Sequence, residues 1–100
     1  MAVGMAITIT SKDGRVNEQI DAAKKGAALF ERLGATSART LSTTDQLNTV
    51  IMVIEADSRE ALGRLQDHFL ADAEGAAIWE ATTKETSPTA SSSTMMFFDI

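Results

Sequence analysis

Apolar residues along this chain follow two spacings, and the order in which the spacings occur predicts the architecture. Val3 to Thr10 alternates: Val3, Met5, Ile7 and Ile9 share one face, and Gly4, Ala6, Thr8 and Thr10 the other. That is the pattern of a strand whose large residues meet the core. Met1 to Gly4 is expected to be a loosely ordered lead-in, and Ser11 to Gly14 (SKDG) a turn. From Arg15 to Leu33 the period changes. Val16, Ile20, Ala23, Ala27, Phe30 and Leu33 recur every three or four residues, which makes one apolar stripe on a helix. Gly34 then sits where a left-handed C-terminal cap belongs, and Gly26 offers a place for close packing on a sheet. Asp21 and Lys25 have the spacing of a surface pair.

Thr36 to Thr43 reads as a weaker, Thr/Ser-rich strand whose single charge, Arg39, suits a sheet edge. Thr44 to Gln46 is the expected turn into Leu47 to Glu55 (LNTVIMVIE), the densest apolar run of the chain. Val50, Met52 and Ile54 point one way and Ile51 and Val53 the other, so both faces of this strand are apolar. Asp57 and Glu60 have capping-box spacing and open a second helix with the stripe Leu62, Leu65, Phe69 and Ala73, Glu60 and Arg64 being a surface pair. Gly75 is expected to break that helix, with Ala76 to Ala81 a short further turn carrying Trp79. Thr82 to Thr94, dominated by Ser and Thr around Pro88, reads as an exposed, mobile connection whose last residues join the next strand. Thr94 to Ile100 (TMMFFDI) ends the chain as an apolar strand, with Met96, Phe98 and Ile100 on one face and Met95 and Phe97 on the other.

Strand, helix, strand, strand, helix, strand is the βαββαβ order of a ferredoxin-like α+β fold: a four-stranded antiparallel sheet with two main helices on one face. In that plan the first and third strands are central and the weak second strand falls at an edge. Helices on one face leave Ile51, Val53 and one face of the last strand uncovered. Four such side chains represent on the order of 6–12 kcal/mol of burial, comparable to the ~5–15 kcal/mol that holds a small domain together. A second copy, sheet against sheet, is the economical cover. In element order and apolar faces the chain resembles the dimeric α+β-barrel superfamily, which is ferredoxin-like and includes antibiotic-biosynthesis-monooxygenase-like proteins. The resemblance implies a homodimer through the sheet face and a cavity for a small organic ligand between sheet and helices. It leaves open a cofactor-independent monooxygenase, isomerase or lyase on one side and a non-catalytic ligand-binding or structural dimer on the other. The haem-degrading branch uses an Asn, a Trp and a His; Trp79 and His68 are present, but the first strand holds no Asn.

Composition narrows the partners. One hundred residues, 44% hydrophobic and 23% charged, suit a single domain over residues 1–100. The net charge of −5 disfavours nucleic acid and anionic membranes, and the two central strands lack the aromatic residues on which RNA-recognition domains stack bases. The absence of cysteine excludes disulfides, thiol nucleophiles and thiolate metal sites. It fits a reducing compartment, so a cytoplasmic protein is the default, with no signal peptide or membrane span expected. A regulatory amino-acid-binding domain of the ACT type is the other ferredoxin-like option, from the faint likeness of KDGRVNEQI to its strand-to-helix turn.

Three side chains remain as candidates for ligand binding. His68, the single histidine, is of the type that serves as general base or ligand contact; at the border of the apolar stripe it equally serves as an amphipathic helix residue. Arg39 could clamp an anion, or simply discourage strand pairing at the edge. Trp79 could stack on a ligand at a cavity mouth, though a lone Trp after a helix is commonly a core plug. These three are expected to line one cleft between the end of the second helix and the second strand. No nucleophile elbow, metal-ligand cluster or cofactor motif is present.

Overall fold

The computed structural model describes residues 2–43 and 47–98. The expected turn at Thr44 to Gln46, the lead-in residue Met1, and Ile100 at the end of the last strand lie outside them. The elements are β1 (Val3–Ser11), α1 (Val16–Arg32), β2 (Ser37–Ser42), β3 (Thr49–Ala56), α2 (Arg59–Ala71), α3 (Ala73–Thr83) and β4 (Thr89–Phe98). All pairings are antiparallel and the strand order is β2-β3-β1-β4, so β1 and β3 are central as the ferredoxin-like plan requires. Among the described residues no helix is long and apolar enough to cross a membrane.

Register assigns every side chain to a face, because cross-strand partners point the same way. Met5 pairs with Ile54 and Met96, and Ile7 with Met52 and Thr94, so these residues look toward the helices. The core lies there: Met5, Val50, Ile54, Leu29 and Leu62 are almost wholly buried. Gly4, Ala6, Thr8, Ile51, Val53, Met95 and Phe97 occupy the opposite face, which no helix covers. Val53 is nevertheless only 8% exposed in the single chain, so this part of the open face is better shielded than alternation implied. Exposed large apolar side chains gather instead on β4, on both faces at once: Met95, Met96 and Phe98.

Four expectations are corrected. Val3 and Gly4 are already in β1 and buried, so these two residues are no loose lead-in. The cap of α2 is Ser58, whose hydroxyl accepts the Ala61 N–H at 3.1 Å, in place of an Asp57–Glu60 box. Helix α2 ends at Ala71, four residues before Gly75. The break is at Asp72, whose backbone turns extended and whose Oδ1 accepts the N–H groups of Glu74 (2.9 Å) and Gly75 (3.3 Å), starting α3 as a third helix. Finally, Thr89 to Ser93 is strand: Ser91 and Ser93 pair in register with Thr10 and Thr8 of β1, a ladder made by backbone whatever the polarity of the side chains. The turn before it is held by Arg15, whose guanidinium donates to the carbonyls of Thr86 and Ser87, and by Lys12 on the Glu85 carbonyl.

The ion pairs among the described residues are Arg15–Glu18, Arg32–Asp72, Arg32–Glu74 and Lys84–Glu80, in place of the expected Asp21–Lys25 and Glu60–Arg64. Partial burial pushes the Asp72 carboxyl up, but the N–H groups of Gly75 and Glu74 and the Arg32 guanidinium outweigh that and hold it below its ordinary value. A carboxyl with a depressed folded pKa contributes stability above its unfolded pKa, and loses it as pH falls through the folded one. The thermal deficit of an Asp72→Asn variant is therefore expected to be full at neutral pH. It closes as the pH drops through and below the ordinary carboxylate value of about 4; melts across that range check this.

Candidate functional site

A cavity of about 400 Å³ lies between the helices and the sheet. Its floor is Met5, Ile7 and Ile9 of β1, Met52 of β3, and Ser92 and Thr94 of β4; its roof comes from all three helices. The space exists because small residues face each other across it. Helix α1 presents Ala22, Ala23 and Gly26, and β4 presents Ser92 and Thr94. Even Gly26 is used closely: a methyl group there would stand 3.1 Å from the end of Met52. Deeper in, the wall is a stacked pair, Phe30 and Phe69, with ring centroids 4.4 Å apart. The mouth is marked by lining residues that are themselves exposed, Leu70 and Trp79 above and Ser92 and Thr94 below.

The lining is apolar with a few uncharged polar groups. Among the described residues it holds no Asp, Glu, Lys, Arg or His. Its polar side chains are Gln19, Gln66, Thr82, Ser92, Thr94 and the Trp79 indole. The Gln19 Oε1 accepts the Thr89 hydroxyl at 2.6 Å, and the Gln66 Nε2 donates to the Met5 sulfur at 3.4 Å. The Thr82 hydroxyl donates back to the Ile78 carbonyl at 2.8 Å. Outside, a more open groove of about 640 Å³ between α1, α3 and residues 87–89 shares Gln19, Ala22, Ile78 and Thr82 with the cavity and carries the charges, Glu18, Asp21, Lys25 and Glu74. Among the described residues no group of three or more His, Cys, Asp or Glu comes together to hold a metal ion.

The three candidates from the sequence do not form one cleft. Trp79 lines the cavity; it is 57% exposed at the mouth, a rim residue where a core plug was the commoner expectation. His68 is on the outer side of α2, where it borders a separate hollow of about 170 Å³ with Arg64 and Asp57. Arg39 pairs in register with Val53, which places it on the sheet face opposite the helices. The physical reason is register: Ala38 and Thr40 face the helices, so their neighbour Arg39 faces away. Sequence reasoning missed Gln19 and Gln66. The signal was present, since Gln19 lies between Val16 and Ala23, and Gln66 between Leu62 and Phe69, at the three-and-four spacing of the buried stripes.

No protein-family model matches the chain, and no curated protein matches it in sequence. Solved structures do match. A protein from Nitrosomonas europaea described as a candidate antibiotic biosynthesis monooxygenase superposes with a TM-score of 0.80 at 9% identity, over 99% of this chain and 90% of that one. SnoaB, a cofactor-independent oxygenase from Streptomyces nogalater, gives a TM-score of 0.76 at 19% identity, covering 98% of this chain and 92% of its own. A NIPSNAP family protein from Agrobacterium tumefaciens str. C58 gives 0.76 at 14% identity, over 99% and 86%. The likeness is one of fold: the chain has the same ferredoxin-like α+β fold as solved structures described as antibiotic biosynthesis monooxygenases.

Proposed function

We propose that this protein takes a neutral, largely apolar organic molecule into the cavity between sheet and helices and oxygenates it without a bound cofactor. The observation that carries the reading is the cavity itself. Protein interiors are packed to crystal density, and a space of about 400 Å³, open at a Trp-bearing mouth, is in the ordinary range for small-molecule sites. Reaction class follows from the lining. Isomerases and lyases move a proton through a side chain within hydrogen-bond reach of the substrate, and no titratable side chain lines this space among the described residues. Oxygenation of an activated methylene makes a smaller demand. One oxygen atom of O2 becomes the new carbonyl, the other leaves as water with the two methylene hydrogens, and the four electrons come from the two C–H bonds. The protein then has to bind, orient and exclude bulk water. SnoaB, described as a cofactor-independent oxygenase, shares the fold.

The same uncharged lining favours a second reading, a non-catalytic carrier of the same ligand. Native mass spectrometry of freshly purified protein is expected to show a retained small molecule. Oxygen consumption when that molecule is added back identifies the oxygenase, and retention without consumption identifies the carrier. Protein that retains nothing, and whose Trp79 fluorescence responds to no neutral apolar molecule, defeats both.

The assembly we propose is a homodimer through the open sheet face and β4. That strand is an edge with apolar Met95, Met96 and Phe98 each more than half exposed, and burying a large apolar side chain contributes about 1.5–3 kcal/mol. Sedimentation equilibrium at micromolar concentration is expected to give twice the chain mass, and Met95→Glu to shift it toward monomer. A strictly monomeric parent protein overturns the assembly.

A further inference from the structure

Helix α3 crosses the cavity as a bar with open space on either side. Ile78 and Thr82 stand four residues apart on one face of the helix, and they line both the cavity and the outer groove against α1. Trp79 is the next residue, about 100° round the helix, and lines the cavity at its exposed mouth. Among the described residues four side chains belong to both spaces: Ile78 and Thr82 from α3, Gln19 and Ala22 from α1. The partition between a cavity of about 400 Å³ and a groove of about 640 Å³ is therefore one side chain thick. The rest of α3 adds little to it. Ala77 and Ala81, its outer neighbours on the groove, are exposed, and the buried residue of that helix is Gly75.

Three of the four side chains are tied or short. The Gln19 Oε1 accepts the Thr89 hydroxyl at 2.6 Å, the Thr82 hydroxyl donates to the Ile78 carbonyl at 2.8 Å, and Ala22 ends at its Cβ. Ile78 is the bulky apolar member, half-buried against the core and held by packing alone. The two sides of α3 also differ in chemistry. Leu70 and the Trp79 indole rim one side, whereas the groove carries Glu18, Asp21, Lys25 and Glu74. An apolar molecule entering past Trp79 has to drive water out ahead of it, and the charged groove is the side that receives water well. Resting on the cavity-binding reading above, we infer that the groove is a second mouth of the cavity and that Ile78 is its gate. Water and ligand then exchange on both sides of α3.

The probe is N-phenyl-1-naphthylamine, a neutral dye that brightens on leaving water, and stopped-flow fluorescence gives its association and dissociation rates. A gate lies on the path and in neither end state, so changing it moves both rates by one factor and keeps their ratio, the Kd. Ile78→Ala is expected to raise both rates about three- to tenfold while Kd stays within about twofold. Ala77→Phe and Ala81→Phe each add a ring at a position that lines the groove and not the cavity. At least one of them is expected to lower both rates by a similar factor. Both are exposed helix positions, so they carry the test if Ile78→Ala does not fold. Unchanged rates in both Phe variants overturn the second mouth and leave the cavity reading standing. A weaker Kd in Ile78→Ala, carried by dissociation alone, makes Ile78 a wall of the site and overturns its role as gate. Absence of dye binding by the parent protein overturns the cavity reading, and this inference with it.

Discussion

A Gly75→Ala variant is expected to melt roughly 10–20 °C below the parent protein, the effect of about 2–3 kcal/mol of overpacking in a chain of this size. The added methyl group would land on the Phe69 backbone carbonyl, with a Leu29 methyl 3.3 Å away. Backbone cannot step aside as a side-chain tip can, so α3 must lift off the end of α2. Two other glycines serve as controls. At Gly63 nothing lies within 4 Å of the new methyl group, so Gly63→Ala on α2 is expected to stabilise by about 0.5–1 kcal/mol through helix propensity. At Gly4 the obstacle is the far end of the Phe97 ring, which can swing, so Gly4→Ala falls between the two. Thermal melts by far-ultraviolet circular dichroism rank the three. If Gly75→Ala melts with the parent, α3 does not sit against Phe69 as described.

Most of the fold was legible because strong periodicity leaves few alternatives. Leu47 to Glu55 named a central strand from its β-branched run, and Thr49–Ala56 is that strand. Gly34 marked the end of α1 and has a positive φ of 115°. The misreadings share a cause, which is that local propensity was trusted where tertiary contact decides. Gly75 looked like a helix breaker, since glycine costs about 1 kcal/mol in a helix, yet it stands inside α3 because only a hydrogen fits beside Phe69. Residues 89–93 looked like loop because they are Thr, Ala and Ser, but β1 offers a complete ladder for them. The site was less legible than the fold. Scarcity drew attention to His68, Arg39 and Trp79, and only Trp79 reaches the cavity. Neutral amides carry no titration or metal signal, so Gln19 and Gln66 had to be seen as polar interruptions of buried stripes, and their cavity is visible only once α1 and β4 are seen to face each other with small residues.

Phe69 and Trp79 both line the cavity, and they are expected to part company when truncated. Phe69 is 8% exposed and stacks on Phe30 at 4.4 Å with the rings 16° apart, while Trp79 is 57% exposed. Removing a buried Phe ring costs about 3–5 kcal/mol through lost burial and the space left behind. Aromatic stacking accounts for ~0.5–1.5 kcal/mol beyond area in such pairs. Set against a total of ~5–15 kcal/mol, Phe69→Ala removes a large share of stability and should melt roughly 15–30 °C lower. Trp79→Ala gives up little packing and should stay within about 0.5 kcal/mol of the parent, as surface substitutions do. Ligand retention reverses the order of interest: Trp79→Ala, still folded, should lose the molecule seen by native mass spectrometry because the mouth loses its one large flat wall. Denaturant unfolding of both variants beside retained-ligand mass measures the two axes separately. A Trp79→Ala protein that keeps the ligand with undiminished occupancy would remove Trp79 from the site. A Phe69→Ala protein as stable as the parent would mean that the Phe30–Phe69 stack does not hold the cavity wall.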